Sequence, residues 1–122
     1  MRVLVVHHDQ RIAEALAIGT DWAIWTADRW SAGSRLIEHK AFDAWILDES
    51  IVGDQGLRML AALRSFGEGH VVLWLRMPGS GVADLIDALA AGVTDCLRNP
   101  VDADDVKDRL RRAVTPCYES AD

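Results

Sequence analysis

The chain has 122 residues, half of them apolar, and a formal net charge of −6. That is enough for one hydrophobic core and not two, and too apolar for a disordered segment. The acidic balance argues against direct nucleic-acid binding, which needs a basic surface.

No apolar run approaches the roughly 20 residues of a membrane span. The opening run after Met1 and Arg2 is too short for a signal peptide. Cys96 and Cys117 form neither a disulfide framework nor a metal-ligand spacing. These features predict a cytoplasmic domain with no membrane contact.

In chain order, residues 3–6 are a β-branched run bounded by polar residues and read as a strand buried on both faces. Asp9 offers an N-cap for a helix over 11–18, with Ile12, Ala15, Leu16 and Gly19 on one face. A weaker strand follows at 23–26. Residues 31–39 suit a helix with Ala32, Leu36 and Ile37 inward, weakened by Gly33. The third strand, 44–47, stops at Asp48. A turn-prone stretch then runs to Gly56, and a helix is expected over 57–65, followed by a turn at 66–69.

Residues 71–75 form the strongest strand pattern. Pro78, Gly79 and Gly81 break the chain ahead of a helix over 82–91, which Gly92 ends. A short strand over 96–98 precedes a last helix over 102–113. Asp102 caps it, Asp105 sits at capping-box spacing, and Val106, Leu110, Ala113 and Val114 form the buried stripe. Residues 115–122 read as a flexible tail, or the start of a linker to an output domain. Strands and helices in regular alternation predict a parallel sheet covered by helices on both faces.

Asp48 at the end of a central strand stands where open α/β sheets carry their ligand sites. The surrounding order is also diagnostic. Val3 to Val6 open the chain, and Gly56 and Leu57 begin eight residues after Asp48. Then come Ala90, Ala91, Gly92 and Val93, and Cys96 to Pro100 ahead of an Asp-capped helix. From Arg2 to about Val114 the chain resembles a response-regulator receiver domain of two-component signalling. The resemblance implies an α/β, flavodoxin-like, doubly wound five-stranded parallel sheet with five helices, (βα)5.

In that family a central aspartate accepts a phosphoryl group from a histidine kinase. Two acidic residues hold Mg²⁺ with it, and a hydroxyl residue, a lysine and an aromatic residue complete the switch. Of these only Asp48 matches here. His7 and His8 take the acidic-pair positions, Arg76 the hydroxyl position, Asn99 the lysine and Cys96 the aromatic position. Met77 and Val52 replace a small residue and a proline usual in the loops. Three carboxylates against one lysine make a strongly negative site in the family. Here Asp48 and Arg76 offset each other, and the attraction for Mg²⁺, which wants oxygen ligands, is lost.

The resemblance therefore implies an atypical receiver, or pseudo-receiver, that acts as an interaction module. Asp48 is then a structural carboxylate closing the strand end. No catalytic residue, bound metal or cofactor is expected. The partners implied are proteins: a histidine kinase, an output domain or a downstream regulator. The family also implies a homodimer face built from helix 82–91, strand 96–98 and helix 102–113, where Asp104, Lys107, Asp108, Arg111 and Arg112 either make reciprocal salt bridges or stay solvated.

Two alternatives stay open at this point. One is a conventional receiver phosphorylated on Asp48 with Mg²⁺. The other is a transition-metal or ligand sensor using His7, His8 and Asp48, which needs a turn to bring adjacent histidines to one point. Arg76 either pairs bidentately with Asp48 and locks the site, or turns outward. Trp22, Trp25 and Trp30 either cover the edge of the sheet or form a partner patch. His39 and His70 are expected in solvent. No Gly-rich phosphate loop follows the first strand, which argues against a nucleotide or flavin enzyme.

Overall fold

The structure is a computed structural model and describes residues 1–65 and 71–114. Its elements alternate without exception: β1 (Arg2–Val6), α1 (Gln10–Ala17), β2 (Ala23–Ala27), α2 (Trp30–His39), β3 (Ala44–Asp48), α3 (Glu49–Ser65), β4 (Val71–Arg76), α4 (Val82–Ala91), β5 (Asp95–Arg98) and α5 (Ala103–Val114). The five strands form one parallel sheet in the order β2-β1-β3-β4-β5. The chain moves outward from β1 to β2 and returns to β3, so the strand order reverses between β1 and β3. That reversal opens a crevice at the carboxyl ends of those two strands.

The continuous apolar strands are explained by cover on both faces. Val3, Val5, Ile46, Leu73 and Leu75 face one way and pack with Ala13 and Leu16 of α1 and Val106 and Leu110 of α5. Leu4, Val6, Trp45, Leu47, Val72 and Trp74 face the other way, toward Val52 and Leu60 of α3 and Ala88 and Ala91 of α4. Each fully buried aliphatic or aromatic side chain contributes about 1.5–3 kcal/mol. The two layers therefore supply the bulk of the driving force and hold the strand ends rigidly.

Local signals placed most boundaries within two residues. Asp9 caps α1 by accepting the Arg11 N–H at 3.0 Å. Gly92 ends α4 in the left-handed conformation at φ 105°. Asp102 accepts the Asp104 N–H at 2.9 Å and caps α5. Asp105 turns instead toward Arg109, at 3.6 Å.

Some expectations need correction. Gly19 lies beyond α1 at φ 73°, where it ends the helix rather than packing on it. Val114 is exposed, because the buried stripe of α5 drifts off the sheet after Leu110. Gly33 is buried against Val6, and a Cβ there would sit 2.8 Å from Val6 Cγ2, so close packing outweighs its low helix propensity.

The largest difference is in α3. The stretch expected as a loop after Asp48 is helical from Glu49, is broken at Gly53 (φ 54°, ψ −152°), and continues to Ser65. Asp48 caps this early turn through its side chain. Of the tryptophans, Trp22, Trp25 and Trp30 all pack against the core, and Trp25 lies under both Arg2 (5.0 Å) and Lys40 (5.5 Å). They cover the edge of the sheet. His39 is exposed as expected. His70, the turn at 66–69, Cys117 and the tail at 115–122 lie outside the described residues.

The kink at Gly53 folds Val52 back so that a Cβ on Gly56 would overlap Val52 Cγ1. Val52 is buried and has little room to yield. We expect Gly56→Ala to lower stability by about 1–3 kcal/mol through overpacking, measured by urea unfolding; an unchanged midpoint would show that Val52 repacks freely.

Candidate functional site

β3 carries Asp48 to the carboxyl edge of the sheet, opposite Leu75 of β4. There it is 1% exposed. Burying a carboxylate costs several kcal/mol unless hydrogen bonds replace the lost water. Three donors do so. Oδ1 accepts the Ser50 N–H at 2.8 Å and the Ser50 hydroxyl at 2.6 Å. Oδ2 lies 3.0 Å from Nε2 of buried His7. Hydrogen bonds to a charged group contribute about 1.5–3 kcal/mol each, so three are of the size needed to offset the burial.

The tautomer of His7 follows from its other side. Nδ1 accepts the Asp9 backbone N–H at 2.9 Å. A proton on Nδ1 would face that N–H, so the neutral ring carries its hydrogen on Nε2 and donates it to Asp48. The sequence reaches this geometry because β1 ends at Val6, and His7 and His8 lie in the turn before α1. That turn brings both rings to one side. They stack with centroids 4.7 Å apart and planes at 18°, His8 on the solvent side.

Asp9 is occupied elsewhere. Besides capping α1, its carboxylate takes Arg11 Nε at 3.0 Å and Nη2 at 2.9 Å. Those hydrogen bonds hold its carboxyl down to about 2, with the Arg11 side chain the main cause.

Arg76 does not pair with Asp48. Its Nη2 donates to the carbonyls of Ser80 at 3.1 Å and Gly81 at 3.2 Å, folding the guanidinium back onto the β4–α4 loop. The ion-pair lock is therefore overturned: two carbonyls near its own strand end take Nη2, Nε is buried without a hydrogen-bond partner, and Asp48 already has three donors. Asn99 lines the cleft, with a cis bond to Pro100. Cys96 is half-buried on β5, and burial pushes its thiol up.

Two contributors were not singled out from sequence. Ser50 holds Oδ1, and the spacing Asp-x-Ser at a strand end was its available signal, because such a carboxylate readily takes the N–H two residues on. Glu49 accepts the Met77 N–H at 2.8 Å and the Ser80 hydroxyl at 3.2 Å, tying α3 to the β4–α4 loop. Its partners lie far along the chain, and no local pattern announces them.

Together His7, His8, Asp9, Ile12, Asp48, Ser50, Met77, Pro78, Asn99, Pro100 and Val101 line a cleft of 380 Å³. Mg²⁺ does not fit this donor set. It is a hard cation that wants near-octahedral oxygen, whereas two of the three ligand groups gathered here are imidazoles.

A parallel sheet in this order is the flavodoxin-like, doubly wound architecture, and here it carries an aspartate at the mouth of its central strand. No protein-family model matches the chain. The response regulator protein PmrA of Pseudomonas aeruginosa is 30% identical over 115 residues, covering 91% of this chain and 51% of that protein. The chain thus spans about half the length of this relative. Among solved structures, a CheY-like response regulator receiver domain from Methanospirillum hungatei superposes with TM-score 0.79 at 17% identity, over 93% of this chain and 92% of that one. A receiver domain from Clostridium thermocellum gives 0.77 at 24% identity, over 93% of each. An orphan response regulator of H. pylori gives 0.79 at 15% identity, over 94% of this chain and 97% of that one. The fold of this chain is that of a response-regulator receiver domain. Among its described residues no helix is long and apolar enough to cross a membrane.

Removing the His7 donor leaves a buried carboxylate oxygen without a partner. His7→Phe is expected to cost about 1–3 kcal/mol in urea unfolding. Ser50→Ala should cost less, because the Ser50 N–H stays on Oδ1. Equal or reversed losses would refute this account of what holds Asp48.

Proposed function

We propose that the chain is an atypical receiver module of two-component signalling, which works through surface contacts without Mg²⁺-dependent phosphorylation of Asp48. The observation that carries this reading is the state of Asp48: nearly inaccessible, with both oxygens held by neutral donors of the chain itself. Phosphoryl transfer to a carboxylate needs an accessible oxygen, a metal, and cations that take up the developing charge. Here His7 Nε2–H stands in the metal's place, Arg76 faces away, and Asn99 is neutral. Asp48 instead caps α3, a structural task.

The partner is a protein: a histidine kinase, an output domain or a downstream regulator. The docking face we favour is α4 with β5 and α5. Val82, Ile86 and Leu89 form an exposed apolar row on α4, at 71%, 58% and 49% exposure. They recur at helical spacing on one face. The charges of α5 are largely used within the chain. Lys107 donates to the Ile18 carbonyl at 2.7 Å, Arg112 pairs with Asp108 at 2.9 Å, and Arg111 lies over Trp22 at 5.6 Å. The apolar row of α4 is therefore the stronger driving force for a homodimer or a partner, and reciprocal salt bridges are the weaker one.

Incubation with a small phosphodonor and Mg²⁺ should leave the intact mass unchanged. A gain of one phosphoryl group that Asp48→Asn abolishes would replace this reading with a conventional receiver phosphorylated by a histidine kinase. For the docking face, Ile86→Asp should shift a self-associating chain to monomer in analytical ultracentrifugation without lowering its unfolding midpoint. A dimer that survives the substitution would place the interface elsewhere.

A further inference from the structure

We propose that His7, His8 and Asp48 form a binding site for a divalent transition metal of the zinc, cobalt and nickel class, and that filling it rearranges the turn that caps α1. This goes beyond the interaction-module reading and does not rest on it.

The three residues each offer one ligand atom, and these atoms all lie within 4.8 Å of one another. Two imidazoles and a carboxylate are a donor set for such metals and a poor one for magnesium. His7 Nε2 and Asp48 Oδ2 are already 3.0 Å apart. That is close to the separation of about 3.3 Å between two ligands of a tetrahedral ion with bonds of about 2.0–2.1 Å. His8 is the outlying donor. It is exposed and lines the cleft, with its ligand atom within 4.8 Å of those of His7 and Asp48. The remaining coordination positions open into the cleft, where water completes them.

The surroundings favour the site on one side and oppose it on the other. Asp48 Oδ1 is gripped by the Ser50 N–H and hydroxyl, which aims Oδ2 as outer hydrogen bonds aim a metal ligand. No Arg or Lys among the described residues pairs with Asp48 in an ion pair, so no fixed side-chain cation competes there.

His7 is the obstacle and also the coupling. A ring bound through Nε2 carries its proton on Nδ1, while at present Nδ1 accepts the Asp9 N–H. Loading the metal therefore moves one proton from Nε2 to Nδ1 through solvent, with none lost or gained. It leaves two donors facing each other across 2.9 Å. The Asp9 amide has to turn away. Asp9 is also the N-cap of α1 and the partner of Arg11, so the start of α1 reports on the metal.

The test uses the chain without any histidine tag. Calorimetry with ZnCl₂ and NiCl₂ should show one equivalent bound, and MgCl₂ at the same concentrations no heat. CoCl₂ should give a ligand-field absorption band. His8→Ala, an exposed change that leaves the core intact, should weaken Zn²⁺ by about tenfold or more. Asp48→Asn should weaken it as well, while His39→Ala, a distant exposed histidine, should not. In ¹H–¹⁵N spectra the Asp9 amide should shift on loading, and the proton of His7 should move from Nε2 to Nδ1. Absence of zinc binding, or binding that His8→Ala leaves unchanged, overturns the proposal. A loaded site with an unmoved Asp9 amide overturns the coupling. None of these outcomes touches the phosphodonor result, so failure here and failure of the receiver reading are told apart.

Discussion

A carboxylate buried at the end of a central strand has to find donors, and around Asp48 that requirement organises the site. Ser50 supplies two from the second residue of α3, and His7 supplies the third from just past the end of the neighbouring strand. The aspartate is thereby joined to both elements that flank it. It ends β3, caps the early turn of α3 and pins the β1–α1 turn through His7. In a receiver with acidic residues at positions 7 and 8, carboxylates would crowd this point and a cation would have to hold them together. With imidazole in place of carboxylate, a neutral N–H does part of that work, and the chain closes the site by itself.

The same closure extends to the β4–α4 loop. Glu49, next to Asp48, grips the Met77 N–H and the Ser80 hydroxyl, while Arg76 grips the Ser80 and Gly81 carbonyls from the other side. Asp84 adds a bond to the Gly81 N–H at 3.1 Å. These contacts set where α4 begins and hence how its apolar row is presented. The loop is thus held by acidic and basic side chains of the chain itself. The sheet edge, the loop and the exposed face of α4 form one connected structure.

Much of the fold was legible because its requirements are local or periodic. Val3 to Val6, Trp45 to Leu47 and Val72 to Leu75 are apolar without alternation, as strands covered on both faces must be. Asp9, Gly92 and Asp102 mark helix ends through bonds or dihedrals confined to a few residues. The early turn of α3 was not legible, because Gly53 and the loop-like composition around it masked a helix start whose cap is the site aspartate. Gly33 carried a misleading helix penalty, since its value lies in contact with Val6, a residue of another element.

For the site, the sequence by itself determined which chemical groups are present and that Asp48 ends a central strand. It therefore determined that the charges of a magnesium site are missing. Tertiary structure alone decided how the remaining groups pair. His7 reaches Asp48 because β1 lies beside β3, an adjacency made by the sheet and not by the chain. Arg76 reads from sequence as a partner for the aspartate, and only the assembled structure puts its Nη2 on the Ser80 and Gly81 carbonyls of its own loop. Glu49 finds Met77 across the sheet edge, where no sequence spacing could announce it. Periodicity encodes which face a residue takes. Hydrogen bonds between side chains from different strands depend on distances of a few tenths of an ångström, and those exist only once the sheet is assembled.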